Sequence, residues 1–473
     1  MKRTTFILTA IIVAALLICR TGSAMADTPV ADPGFAFVDV NGDGLYSASD
    51  GDIGIASTPS VDINALIQGG YFNTSVSQGA YTAPCGPASL VIPASQQFTL
   101  TTCLELGASQ DVIVHGQLTA PTIELSGCRT VDLTSSSITF GSCMETDAGC
   151  DLIVDGAAIA GDPACSAFYG SAWNAIYGRP VNSSNAAIFT ANEVELCSNC
   201  GVTLTGASIS TGNPNAEIEI ESYGDVDATE STAIASGGTV EIASCYGNAQ
   251  VLAGGVFGTC IDIYGACAAD FTDSAVAGSG QVTIEGDTVT GNSALTAVSS
   301  ASLGIDGAEN VDVSTSSLQA AAGPLCITCC NGSISDNSAT LQSSGGLTVH
   351  AAESVSGLSA IVNSDRCINV AADCGCAALD QSVITPYSAT SGVRIAIQAA
   401  GNVTAPGAQW SIPGPVNVIS YWEDILAQYA SISTGSATTP LSLTAYGGLI
   451  NITGAVLVGK THYCPRHVTV VGP

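Results

Sequence analysis

Val194-Glu195-Leu196, Ile218-Glu219-Ile220, Val240-Glu241-Ile242 and Ile261-Asp262-Ile263 are one phrase, apolar–x–apolar, written four times at intervals of 21 to 24 residues. The phrase is already present as Leu104-Glu105-Leu106, Ile123-Glu124-Leu125 and Met144-Glu145-Thr146. It continues, with other middle residues, through Val282-Thr283-Ile284, Leu303-Gly304-Ile305, Leu347-Thr348-Val349 and Val393-Arg394-Ile395 to Leu441-Ser442-Leu443. A period of this length marks a solenoid, in which one unit cannot bury its own apolar face and stacking neighbours do it.

Within each period two more apolar stretches follow the phrase. In Thr122–Thr139 they are Val131/Leu133 and Ile138, separated by Ser126-Gly127 and Ser135-Ser136. Alternation inside each stretch is strand period, and glycine, serine and asparagine supply the conformations that tight corners need. The expected fold is all-β: a right-handed parallel β-helix of about 15 or 16 coils, with three short strands per coil. A β-sandwich ranks lower, because hairpin turns would not repeat three strands so regularly. The repeat falters at about 155–190, where an irregular coil with an inserted loop is expected.

The ends read differently. Residues 1–26 have Lys2 and Arg3, an apolar run from Phe6 to Ile18 and small residues at Ser23-Ala24-Met25-Ala26, as in a secretory signal peptide. Residues 27–84 form an amino-terminal segment, 85–460 the β-helix and 461–473 a tail. The expected location is secreted, extracellular or on the cell surface, with the periplasm as alternative. No membrane span is expected in the mature chain.

Charge narrows the partners. The chain has 40 acidic residues and nine lysines and arginines. Without Lys2, Arg3 and Arg20, six cationic residues face 40 acidic ones, a balance of −34. Such a surface repels nucleic acid and anionic membranes and favours divalent cations or basic partners. The middle residues of the phrase, Glu105, Glu124, Glu145, Glu195, Glu219, Glu241 and Asp262, would stack as an acidic ladder on one outer face. That face either keeps the protein soluble or collects Ca²⁺ or a basic partner.

A second cation candidate is local. Asp39-Val-Asn41-Gly-Asp43-Gly44-Leu45-Tyr-Ser47-Ala-Ser-Asp50 sets oxygen ligands at the first, third, fifth, ninth and twelfth places of a calcium loop. Gly44 falls where the chain must turn sharply, and Leu45 offers its carbonyl. The stretch resembles the calcium loops of EF-hands and dockerin modules, although Asp50 replaces the longer glutamate and no paired loop follows. A structural Ca²⁺ held by Asp39, Asn41, Asp43, Leu45, Ser47 and Asp50 is expected.

Nineteen cysteines include Cys19 in the signal, which leaves an even 18 for an oxidising compartment. Cys128/Cys150 and Cys245/Cys267 are each 22 residues apart, about one coil, so disulfides 128–150 and 245–267 are expected, with 143–165 (Cys143, Cys165) a weaker third.

Leu443-Thr-Ala-Tyr-Gly-Gly-Leu-Ile-Asn-Ile-Thr-Gly454 and Val240-Glu-Ile-Ala-Ser-Cys245 resemble coils of filamentous-haemagglutinin-type secreted exoproteins. The resemblance covers roughly residues 90–459 and implies a surface-exposed, adhesive or structural solenoid. Its partners would be other copies of itself, assembled end to end or laterally, or cell-surface glycans and proteins. The alternative is a polysaccharide-binding or polysaccharide-degrading β-helix. Lyase or hydrolase chemistry needs carboxylates clustered with a basic residue, whereas Arg129, Arg179, Arg366 and Arg394 are scattered, so no enzyme and no catalytic residue is expected. Tyr169, Trp173 and Tyr177 are the candidate sugar contacts.

Overall fold

The computed structural model describes residues 29–54, 73–75, 78–82 and 89–465, apart from 42, 102, 109, 182–186, 231–232, 294–296 and 388–392. The expected signal peptide and residues 466–473 of the tail lie outside the described residues. Nearly every regular element is a strand, and the one helical turn is a 3-10 turn at Ala48–Asp50. The chain divides into two compact units, Met1–Gly224 and Asp225–Pro473, which together hold a β-solenoid of about 16 turns.

In the first unit the phrase builds one face of the solenoid. Leu104 pairs in parallel with Ile123, Ile123 with Met144, Met144 with Phe168, Phe168 with Val194 and Val194 with Ile218. A second face stacks Ser89–Ile92, Val112–Val114, Thr130–Asp132, Asp151–Ile153, Ala175–Tyr177 and Gly201–Thr203. The third takes Ala158–Gly161, Ile188–Thr190 and Ser208–Ser210 among its strands. Burial alternates along each strand, as in Glu193–Ser198, so Val194 and Leu196 are fully enclosed while the glutamates stay outside. Each enclosed Leu, Ile or Val contributes about 1.5–3 kcal/mol, and only the coils on either side can supply the enclosure. Ser198 and Ser222 fill the last inward position of the phrase strand, and their hydroxyls accept the Gly201 and Gly224 amides where the chain turns the corner.

This unit also contains strands of the other sense. Phe37–Asp39 runs antiparallel to Ser89–Ile92 on one side and to Ile53–Gly54 on the other.

The stretch at 155–190 is more regular than expected. Ala158–Gly161, Ala167–Ala172, Ala175–Tyr177 and Ile188–Thr190 are coil strands in register, and the added length falls between Tyr177 and Ile188. Its phrase is Phe168-Tyr169-Gly170. A Cβ at Gly170 would lie 2.9 Å from the Leu196 Cδ2 and 3.1 Å from the Leu152 Cδ2. Leucines of the adjoining coils therefore fill the place of the missing apolar side chain.

In the second unit the phrase face runs from Val240 through Ile261, Val282, Leu303, Leu325, Leu347 and Ile368. The next member is Ile395, since Cys367 pairs with Arg394 and Asn369 with Ala396. The phrase of that coil is thus Ile395-Ala396-Ile397, two residues on from Val393-Arg394-Ile395. Residues 461–465, expected as tail, belong to Lys460–Pro465, the phrase strand of a further coil, paired in parallel with Pro440–Ala445.

One corner of this unit has a fixed backbone form. Ala253, Asp273, Ser293, Thr315, Ser338, Ser359, Gln381 and Tyr429 all have φ between 52° and 68°, and Gly407 and Gly454 are at 69°. Backbone bonds such as Ser338 N–H to the Leu358 carbonyl and Gly407 N–H to the Gln428 carbonyl stack these residues coil upon coil. The left-handed corner is set by the stack, since only two of these ten positions are glycine.

Candidate functional site

The phrase-middle side chains of the first unit stand in register. Glu105 is level with Glu124, Glu124 with Glu145, and Glu195 with Glu219. Burial raises the proton affinity of Glu124, and the charges of Glu105 and Glu145 raise it further. Between Glu145 and Glu195 the ladder holds Tyr169. Its hydroxyl donates to Glu193 Oε1 at 2.9 Å, and burial and that bond push the phenol up to about 12. In the second unit Glu241 is level with Asp262 and Asp262 with Thr283, where the run of acids stops.

The three expected sugar contacts point to different places. Tyr169 belongs to the ladder, and Tyr177 lies under the Arg179 guanidinium, 4.7 Å from its ring centre, with Arg179 also paired to Asp155. Trp173 alone stands clear, 71% exposed at the corner after the phrase strand. It borders an open depression of about 500 Å³ lined by Asp147, Ser171, Trp173, Asn199, Glu221 and Tyr223 among others. The Trp173 amide binds the Ala148 carbonyl and the Tyr223 amide the Ser198 carbonyl, so Trp173, Asn199 and Tyr223 share one corner on successive coils. The two rings are two coils apart, about 9.6 Å by strand spacing. Below them Asp147, Ser171, Cys197 and Glu221 form a column, each level with the next. Sequence reasoning missed Tyr223 and the two carboxylates. The signal was there, since counting from the phrase puts Trp173 and Tyr223 at the same offset.

Thiol chemistry finds no support in this depression. Burial, the bond from its thiol to Glu195 Oε1 and nearby carboxylates push Cys197 up to about 12, which keeps it protonated. Cys128, Cys143, Cys150, Cys165 and Cys267 are free thiols. The expected disulfides miss by register. Gly127 pairs with Ala148, and the Cys150 amide binds the Arg129 carbonyl, so Cys128 is level with Gly149. Ser244 pairs with Gly265, which sets Cys245 beside Ala266, while the Cys267 amide binds the Gly247 carbonyl. Cys143 is level with Ala167, and Cys165 sits in the turn after Asp162. A spacing of 22 overshoots the 21-residue offset that these phrase strands keep.

The cations act as links between coils. Arg129 grips the buried Asp111 through Nε and Nη2, and His115 and His350 lie 3.4 and 3.0 Å from Asp132 and Asp373.

The loop at 39–50 is tied by its own acids. Asp39 Oδ2 accepts the Gly44 amide at 2.7 Å, Asn41 Oδ1 the Asp43 amide at 3.0 Å, and Asp43 Oδ1 the Leu45 amide at 2.8 Å. Gly44 has φ 79°, the sharp turn expected there. The Asn41 amide nitrogen lies 3.2 Å from Asp43 Oδ2 and 3.5 Å from Asp50 Oδ2, and the Ser47 hydroxyl bonds Ser49. Asp52, not anticipated, accepts the Val40 and Ser47 amides and closes the loop from behind. Its carboxyl is raised by burial, against those two bonds, with Asp39 and Asp43 adding to the rise. Among the described residues no group of three or more His, Cys, Asp or Glu side chains stands ready to hold a metal ion. Here the Asn41 amide, a neutral donor, sits between the two carboxylates.

Comparison with known protein families, with curated proteins and with solved structures returns no match for this chain.

Proposed function

We propose that this chain is a secreted structural and adhesive solenoid that holds uncharged glycans at the Trp173–Tyr223 depression. The observation that carries the reading is an exposed tryptophan and an exposed tyrosine on one corner, above Asp147 and Glu221. Aromatic faces take up the C–H faces of pyranose rings, and carboxylates accept hydrogen bonds from sugar hydroxyls. The same carboxylates, in a chain of net charge −31, repel polyanionic glycans.

Binding is favoured over cleavage. Asp147 and Glu221 are three coils apart, about 14 Å by strand spacing, beyond the roughly 5–9.5 Å that glycoside hydrolysis uses. Glu195 and Glu219 are nearer, but they lie side by side on one sheet and do not face each other across a bond. The lining sets no lysine, arginine or histidine beside these carboxylates. The resemblance to filamentous-haemagglutinin-type coils agrees with an adhesive role.

The loop at 39–50 would hold a structural Ca²⁺ through Asp39, Asn41, Asp43, the Leu45 carbonyl, Ser47 and Asp50. Two carboxylates already converge on one donor there, and a cation would exchange for the Asn41 amide hydrogens. Bound calcium would tie this loop to the strand that pairs with Ser89–Ile92.

Affinity electrophoresis through gels containing laminarin, hydroxyethylcellulose or galactomannan tests the reading. Retardation of the wild type that is weakened in Trp173→Ala supports it. Equal mobility of the two proteins in every gel refutes it.

A further inference from the structure

In the second unit, too, the corner after the phrase strand bears a group of aromatics. Ser420 pairs with Ala445 at the end of the phrase strand, and the Tyr446 amide then binds the Ser420 carbonyl at 2.9 Å. The rings of Tyr421 and Tyr446 stack with centroids 5.9 Å apart and planes 14° from parallel. Beside them Trp422 is 75% exposed. Its amide binds the Ala400 carbonyl, which sets it level with Gly401 on the preceding coil, and Gly447 lies directly against it on the following one. A Cβ at Gly447 would be 2.1 Å from the Trp422 carbonyl oxygen, and one at Gly401 would be 2.9 Å from the Cys376 Sγ. Packing thus keeps both neighbouring positions free of side chains beside the exposed indole.

The surroundings select the ligand. Glu423 is exposed, and Asp424 is held by the Leu449 amide on its Oδ1 and by donating its own amide to Asn402. The stretches 400–402, 420–424 and 445–449 contain no lysine, arginine or histidine. The exposed large side chains at this corner are tyrosine and tryptophan, each with a polar tip, and no exposed aliphatic side chain joins them into the apolar core that a protein partner would bury. Among the described residues this corner offers acceptors and no cation, which suits a chain rich in hydroxyls and poor in charge.

We infer that Tyr421, Trp422 and Tyr446 form a second platform for an uncharged polysaccharide, with pyranose rings on the exposed indole and hydroxyls donating to Glu423. This extends the glycan-contact reading to residues that it does not use.

The chain has three tryptophans, of which Trp410 is buried. In full-length Trp173→Phe the exposed indole signal therefore comes from Trp422. Titration with laminarin, hydroxyethylcellulose and galactomannan is expected to shift that emission with at least one of them. Gels containing that glycan should retard Trp173→Phe, and adding Tyr421→Ala/Tyr446→Ala or Trp422→Ala should weaken retention at least tenfold, with unchanged circular dichroism. Full retention in both of these variants, alongside weakened retention in Trp173→Ala, overturns the second platform and leaves the first site standing. Stronger retention by polygalacturonate than by any neutral glycan also overturns it. A wild type that no glycan retards overturns both readings.

Discussion

Gly357 lies directly over Asp336: a Cβ added to the glycine would be 2.8 Å from the Asp336 Oδ1. Val313, Asp336, Gly357 and Leu379 hold the same inward place on successive coils, so a carboxyl occupies an otherwise apolar column. The Oδ1 has no hydrogen-bond partner, and burial pushes the group up to about 7. The folded state keeps this proton while the unfolded chain, ionising near 4, releases it. The stability that protonated Asp336 permits is present in acid and is lost as pH rises from about 4 to 7, by at most about 4 kcal/mol. Asp336→Asn should remove that component. Melting curves at pH 5 and pH 8 are expected to differ less for the variant than for the wild type, and an unchanged difference would contradict the assignment.

The ladder should answer to charge as well. The raised proton affinity of Glu124 means that its ionisation weakens the fold as pH rises through the carboxylate range. Like charges level with one another on neighbouring strands are destabilising. Glu124→Gln should raise the melting temperature at pH 7 and leave it nearly unchanged at pH 3. Added salt should narrow the gap at pH 7.

Tyr169 offers a spectroscopic reading of the same face. Its phenol is expected to ionise near pH 12, against about 10 for an ordinary tyrosine. The difference in 295 nm absorbance between wild type and Tyr169→Phe, followed with pH, isolates this group among 13 tyrosines. Glu193→Gln should bring the midpoint down.

At the left-handed corner, a Cβ added to Gly407 would meet nothing closer than the Gln381 Cγ, at 3.6 Å. Gly407→Ala therefore tests the backbone alone, and a loss of about 1 kcal/mol is expected from the left-handed conformation. Ser359→Gly, in the same column, should gain a few tenths to about 1 kcal/mol, because relief of the left-handed strain outweighs the freedom that glycine adds to the unfolded chain. Chemical denaturation of both variants reads the two signs.

Calcium binding at the amino-terminal loop should appear as a rise in melting temperature with millimolar Ca²⁺ that EDTA reverses. Asp43→Asn and Asp50→Asn alter exposed ligands and should reduce the rise, whereas Asp39→Ala, at a fully buried position, should abolish it. A wild type indifferent to Ca²⁺ would remove the site.

The phrase made most of the fold legible, because its period and its strand alternation both require stacked parallel coils. Reading failed where one coil borrows from another. Phe168-Tyr169-Gly170 does not look like the phrase, since the missing side chain is replaced by Leu152 and Leu196 from adjoining coils. Register failed for a similar reason. Corners absorb a residue or two, as between Gly265 and Ala268, so cysteines 22 apart are not neighbours and Arg394 is not a phrase-middle residue. Trp173 was legible as an exposed aromatic, but Tyr223 became its companion only when the corner column was known.

The antiparallel strand Phe37–Asp39 has a consequence for how the first unit reaches its structure. Every parallel coil copies its alignment from the one beside it, so an alignment error passes along the stack. Phe37 opposite Val91, with Asp39 opposite Ser89, gives Ser89–Ile92 a second alignment besides the one it shares with Val112–Val114. A slip of one residue there would turn inward-facing side chains toward water in coil after coil. Three residues of opposite direction thereby hold the first strand of that face in frame from the side where no coil stacks on it.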